Sequence, residues 1–192
     1  MTETYTDLAC IADARVDDWW PNNNFGDIEN RIYGTPTHQI WTFMKFKHYN
    51  TLPDGVWDAF VRAELILTAS WVNFNDSVQF RLRLPVAGWS EMEITFDNCG
   101  VTVDTLYQNM IKTYEQYMTY TTQTVVMPLS KDDIINLQYG SLLDFFIFSN
   151  KYDAYFAMGF YDRSQTNPPI IRIYHESIGG FCGRNCGRNF GR

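Results

Sequence analysis

The side chains in this 192-residue chain with the strongest chemistry are three histidines, four cysteines and an early run of carboxylates. His38, His48 and His175 fall on different expected elements, and no two of them have the helical spacing of a metal-binding pair. Neither a Gly-flanked Ser nor a His-partnered Cys marks a nucleophile. The histidines therefore read as surface or turn residues, and the chain reads as a non-enzyme. Asp13, Asp17, Asp18, Asp27 and Glu29 crowd around Asn22, Asn23 and Asn24. Oxygen-rich loops of this kind hold Ca²⁺, which takes about six to eight oxygen ligands. Asp17, Asp18 and Asp27 are the candidate ligands of such a structural ion, although their spacing does not fit an EF-hand. The favoured reading is solvated turn carboxylates with no metal and no cofactor.

Cys10, Cys99, Cys182 and Cys186 leave both disulfide pairing and free thiols open. The three-residue gap between the last two is not the two-residue gap of a zinc knuckle, and no histidine lies near them. Glu91 and Glu93 stand two apart on an expected strand and so share a face, which reads as solvated. No activity on uronates or neutral glycans is expected, because no nucleophile, base or metal constellation is present in the pattern.

The tryptophans offer a different chemistry. An exposed indole presents a flat apolar face to a partner or to the C–H side of a sugar ring. Trp41 and Trp71 lie in strand patterns and read as core. Trp89, in Trp89-Ser90-Glu91, reads as structural. Trp19 and Trp20 are adjacent, followed by Pro21 and three Asn in an expected loop, so Trp19, Trp20, Asn22 and Asn23 form the candidate contact surface for a carbohydrate or another surface.

The elements that must carry these residues are mostly strands. Segments 8–16, 40–47, 63–71 and 78–84 mix β-branched, aromatic and Leu residues between turn clusters such as Pro53-Asp54-Gly55 and 73–76. Val78, Phe80, Leu82 and Leu84 alternate with Gln79, Arg81 and Arg83, the period of a strand with one wet face. Further strands are expected over 142–148, 155–160 and 170–174. Leu106, Met110, Ile111, Tyr114 and Met118 recur at spacings of three and four, which predicts a helix over 104–118. A second helix start is expected at Ser130, which can cap, with Asp132 and Asp133 in the first turn. The core is expected to include Phe43, Phe46, Leu65, Leu67, Phe80, Leu82, Phe146 and Ile171.

The net charge of −7 argues against a duplex nucleic-acid binder, which neutralises phosphates with clustered Lys and Arg. Arg184, Arg188 and Arg192 are the only charges after Glu176, so the body carries 12 basic against 22 acidic residues. From Ser177 onward the chain is rich in Gly and repeats Cys-Gly-Arg-Asn, which makes 177–192 a tail. Phe181, Arg184, Arg188, Phe190 and Arg192 suit it to lie as an assembly arm on a neighbouring subunit, identical or different. No apolar run reaches the length of a membrane span, and residues 1–5 lack the basic, apolar start of a secretory signal. Two origins are compatible with that: assembly in a cytoplasm with release by lysis, as for viral structural proteins, or a mature chain whose signal was removed.

A series of short motifs runs through most of the chain: Ala12-Asp13-Ala14, then Pro21 through Phe25-Gly26, Phe43-Met44-Lys45-Phe46 and Ala63-Glu64-Leu65. It continues with Trp89-Ser90-Glu91, Thr95-Phe96-Asp97-Asn98 and Pro169-Ile170-Ile171-Arg172-Ile173. In this order they resemble the DNRLRE domain family, β-sandwich modules of secreted and cell-surface proteins grouped with carbohydrate-binding modules. The resemblance implies a sandwich in which the strand at 125–129 runs into a short helix that plugs one end. It also implies that Asp13 and the Asn24-Phe25-Gly26 turn are fold determinants.

The expectation is an all-β, jelly-roll-like β-sandwich with one or two short helices over 1–176, followed by the tail. The expected function is that of a non-catalytic structural or surface-binding protein, a virion component such as a capsid decoration or fibre-associated protein. Its expected partners are other structural subunits, itself as a homo-oligomer, or a polysaccharide. The alternative is the carbohydrate-binding module of a secreted or cell-surface protein.

Overall fold

The computed structural model describes residues 2–26, 28–35, 37–86, 88–102, 105–106, 108–149 and 156–177. Their strands are β1 (Glu3–Asp17), β2 (Asn30–Thr35), β3 (His38–Phe46), β4 (Phe60–Val72), β5 (Asp76–Arg83) and β6 (Met110–Met118). They continue with β7 (Thr124–Leu129), then after helix α1 (Lys131–Asn136) β8 (Gln138–Tyr139), β9 (Leu142–Ser149), β10 (Phe156–Phe160) and β11 (Ile170–Glu176). A 3₁₀ turn spans Tyr49–Thr51.

Period-two alternation sets the main core. On β4, Ala63, Leu65, Leu67 and Ala69 point inward while their neighbours stay half-exposed. On β5, Val78, Phe80 and Leu82 point inward beside half-buried Gln79 and Arg81, but the expected wet face stops there, because Arg83 is buried with its guanidinium over the Phe146 ring. All strand pairs are antiparallel. β1 pairs with β11 through its first half and with β3 through its second, with a register shift between Cys10 and Ala12. The pairing therefore runs β1–β11–β4–β10–β2–β3 and returns to β1. β9, β5 and β6 extend the sheet from β3, and β7 flanks β4. The all-β, sandwich-like architecture expected from composition and alternation is what the chain adopts.

β9, like its neighbour β3, is covered on both faces. Leu143, Phe145 and Ile147 enter the main core, whereas Phe146 and Phe148 join Trp41 and Phe43 of β3 in a second one. The second core is roofed by the segment after β5, which contributes Ile94, Cys99, Val101 and Leu106. Double coverage explains why β9 reads as an almost unbroken apolar run. All eight expected core residues are fully buried, Phe43 and Phe146 in the second core and the rest in the first.

α1 begins where the sequence signals it. Ser130 Oγ accepts from Asp133 N at 3.0 Å, and Asp133 Oδ2 accepts from Ser130 N at 2.8 Å, a reciprocal capping box. Ile134 fixes the helix to the main core. Replacing Ser130 with alanine is expected to cost about 1 kcal/mol, read as a lower urea midpoint at unchanged slope. An unmoved midpoint would show that the cap contributes nothing.

Two expectations fail. The helix over 104–118 is absent: 110–118 is strand β6, paired with β5 from Asp76↔Met118 to Arg83↔Met110, and Leu106 sits in a turn. Asp104, at the start of that expected helix, lies outside the described residues. Glu91 and Glu93 stand in a turn closed by Glu93 N on Ser90 O at 3.1 Å, not on a strand. Ser177 closes the described chain, with its N and Oγ donating to Thr2 O at 2.9 and 2.7 Å. The arm residues Phe181, Arg184, Arg188, Phe190 and Arg192 lie outside the described residues, as do Cys182 and Cys186. Among the described residues, no helix is long and apolar enough to cross a membrane.

Candidate functional site

The candidate surface is built where β1 ends beside the β2–β3 turn. Asp17 stops β1 by capping the next turn: Trp19 N donates to its Oδ1 at 3.0 Å, and Trp20 N to its carbonyl at 3.2 Å. Asp18 and Gln39 exchange bonds, Asp18 N to Gln39 O at 3.2 Å and Gln39 N to Asp18 Oδ1 at 2.9 Å, which ties the loop to β3. Asn23 N then donates to Trp20 O at 2.9 Å. The loop is thus held at each step by local hydrogen bonds.

Trp19 and Trp20 are 60% and 59% exposed, as the sequence suggests, and Asn22 and Asn23 are exposed beside them. Trp19 is nevertheless fixed. Its ring stacks on His38 at 3.8 Å between centroids and 10° between planes, and its Nε1 donates to Thr37 O at 3.1 Å. Asn24 turns inward, donating through Nδ2 to Glu91 O and Ile94 O at 2.9 and 2.7 Å. Gly26 follows in the same turn, and a Cβ on it would stand 2.2 Å from Glu91 O. This turn clamps the roof segment onto the sheet.

Under Trp19 lies an unexpected triad. His38 Nε2 is 2.8 Å from Asp17 Oδ1 and 3.8 Å from Asp18 Oδ1. The reading of the histidines as surface residues is corrected, because His38, His48 and His175 are all buried. His38 lies between Trp19 and Tyr33. His48 caps the 3₁₀ turn by accepting from Asn50 N at 3.0 Å. His175 meets the Thr4 and Thr6 hydroxyls across the β1–β11 ladder. The reading of the early carboxylates as solvated is corrected for Asp13 and Asp17, which are buried. Asp18 is half-buried, and desolvation raises its pKa. Asp27 lies outside the described residues.

A second polar cluster lies at a small cavity of about 90 Å³ lined by Asp13, Gly26, Glu91, Asp162, Arg163 and Ser164. Asp13 Oδ2 accepts from Asn30 Nδ2 at 2.5 Å and from Arg163 N at 3.0 Å. Arg163 grips Glu91 bidentately at 2.9 and 2.7 Å. Burial pushes the Asp13 carboxyl up to about 6 despite these donors. Asp162 closes its own turn by accepting from Ser164 N at 2.7 Å. The carboxylates of this cavity therefore knit β1, the roof segment and the loop before β11 together.

A third cluster places Trp89 as a structural residue. Its Nε1 donates to buried Asp144 Oδ1 at 2.7 Å, and Lys45 Nζ lies 4.3 Å from its ring centre and 3.9 Å from Asp144 Oδ2. Burial pushes Asp144 up to about 6. Trp41 is core as expected, whereas Trp71 is half-buried with its Nε1 on Glu29 Oε2 at 2.8 Å. His38, Arg163 and Asp144 carry no local signal in the chain, because their partners stand 21, 150 and 55 positions away.

Among the described residues, then, the arrangement pairs an aromatic, outward-facing loop with the Asp17–Asp18–His38 cluster that braces it. No protein-family model matches this chain, and no curated protein matches it.

Proposed function

We propose that the protein is a non-catalytic structural module that docks through its Trp19–Trp20 loop, as a component of a virus particle such as a capsid decoration or fibre-associated protein. One observation carries the docking role: two adjacent indoles stand in water on a loop that is already ordered, with Trp19 locked against His38 and Thr37. An exposed apolar surface costs free energy until it is covered, and a pre-ordered aromatic anchor loses little entropy on binding. The acidic body and basic Gly-rich tail support a place in an assembly.

A specific observation favours a second reading, a carbohydrate-binding module: exposed Asn22 and Asn23 flank Trp20 and could bond sugar hydroxyls while the indole meets the ring. One variant tests both. Trp19→Ala/Trp20→Ala, folded by circular dichroism, is expected to be missing from purified particles that contain the wild-type chain. Normal incorporation of the variant, or particles that never contain the chain, overturns the particle reading. A wild-type signal on a glycan array that this variant loses establishes the carbohydrate reading in its place.

A further inference from the structure

We propose that Asp17, Asp18 and His38 form a binding site for a divalent transition-metal ion of the Zn²⁺ class beneath the Trp19 ring. One oxygen from each carboxylate and one imidazole nitrogen lie within 4.8 Å of one another. The Nε2–Oδ1 separations of 2.8 and 3.8 Å bracket the spacing of about 3–3.5 Å that ligand atoms take around an ion bound at about 2.0–2.2 Å. Small side-chain rotations therefore suffice to seat it.

The imidazole decides the metal class. Ca²⁺ and Mg²⁺ take oxygen ligands, whereas one nitrogen with two carboxylates suits Zn²⁺ and its neighbours. His38 is only 7% exposed, and Trp19 and Tyr33 pack against its ring, so its Nε2 edge is held facing both carboxylates. The carboxylate oxygens are oriented in turn by backbone donors, Trp19 N on Asp17 Oδ1 and Gln39 N on Asp18 Oδ1. Such outer bonds are what hold metal ligands in register.

Charge points the same way. Among the described residues, His38 is the one basic side chain within 4.0 Å of either carboxylate, so the pair holds negative charge that a dication would balance. The site stands independently of what the aromatic loop contacts.

The test is calorimetric titration of the metal-stripped full chain with ZnCl₂ and, in parallel, CaCl₂, with tryptophan fluorescence as a second readout. Asp18→Asn and His38→Gln probe the site, and Cys182→Ser/Cys186→Ser removes the competing tail thiols. The expected result is one equivalent of Zn²⁺ bound by the wild type and the thiol variant, with a change in Trp19 emission. Binding should weaken by about tenfold or more in both site variants. Absent uptake, uptake unchanged in the site variants, uptake lost only with the thiols, or Ca²⁺ bound as tightly as Zn²⁺ would each overturn the site. Should His38→Gln fail to fold, Asp18→Asn, at a half-buried carboxylate, decides alone.

Discussion

Replacing Phe146 with alanine is expected to destabilise the fold by about 3–5 kcal/mol. Phe146 is fully buried and stands at the centre of the second core, stacked on Phe43 at 4.8 Å and in contact with Trp41 and Phe148 at 5.8 and 5.6 Å. Its ring also lies under the buried Arg83 guanidinium at 5.4 Å. Truncation leaves a cavity that four large neighbours on paired strands cannot close, and it removes the aromatic face that receives a desolvated cation. Urea denaturation would show the loss as a lower midpoint. A loss under 1 kcal/mol would mean that the roof segment collapses into the gap and that the second core is loosely packed.

The stability of the protein is expected to fall as pH rises through the weakly acidic range. Asp13 and Asp144 are both buried, and burial raises each carboxyl from 3.8 to about 6. Between those values the native state holds protons that the unfolded chain has released, so the slope of stability against pH is negative there. The stabilisation is complete below the unfolded pKa and gone above the folded one, about 3 kcal/mol for each group. Between pH 5 and 7.5, each contributes about 1 to 1.5 kcal/mol of that decline. Asp133, whose pKa is lowered by its Ser130 and Lys112 donors, has the opposite sign, and its effect falls below that interval. Asp144→Asn keeps an acceptor for Trp89 and loses the proton. Its urea midpoints at pH 5 and 7.5 should therefore differ less than those of the wild type, and an equal difference would refute the assignment.

Strands whose buried residues are all apolar could be read directly from the sequence. β4 alternates cleanly and the eight expected core positions are buried, whereas β5 alternates only as far as Leu82, because Arg83 is buried as well. β2 was hidden because its inward positions are Asn30, Ile32 and Gly34, and only one of the three is a large apolar residue. β6 misled for a geometric reason. Met110, Tyr114 and Met118 are four apart, a spacing that keeps one face on a helix and equally on a strand. Its β5 partner decides between them, and no single segment contains that information.

The site divides along the same line. The exposed Trp19–Trp20 pair was legible because adjacent indoles in an Asn-rich loop have nowhere local to hide. The triad beneath it was half-legible: Asp17 and Asp18 were singled out, but with oxygen ligands alone. His38 joins them only because β1 and β3 pair in a register that sets Asp17 opposite Ile40, which brings the start of β3 against the end of β1.

The meeting of Thr2 and Ser177 has a mechanical consequence. Thr2 and Ser177 are hydrogen-bonded to each other, and β1 runs antiparallel to β11 from Glu3↔Glu176 inward. Tension applied between Thr2 and Ser177 loads that ladder from its tip, so its rungs break in succession and do not resist together as they would in shear. His175, held by the Thr4 and Thr6 hydroxyls, is met first, and the bidentate Arg172–Asp7 pair, at 2.8 and 3.0 Å, is the charged catch four rungs in. Under load the closed circuit of strands opens at this seam, and the sandwich yields by peeling at low force.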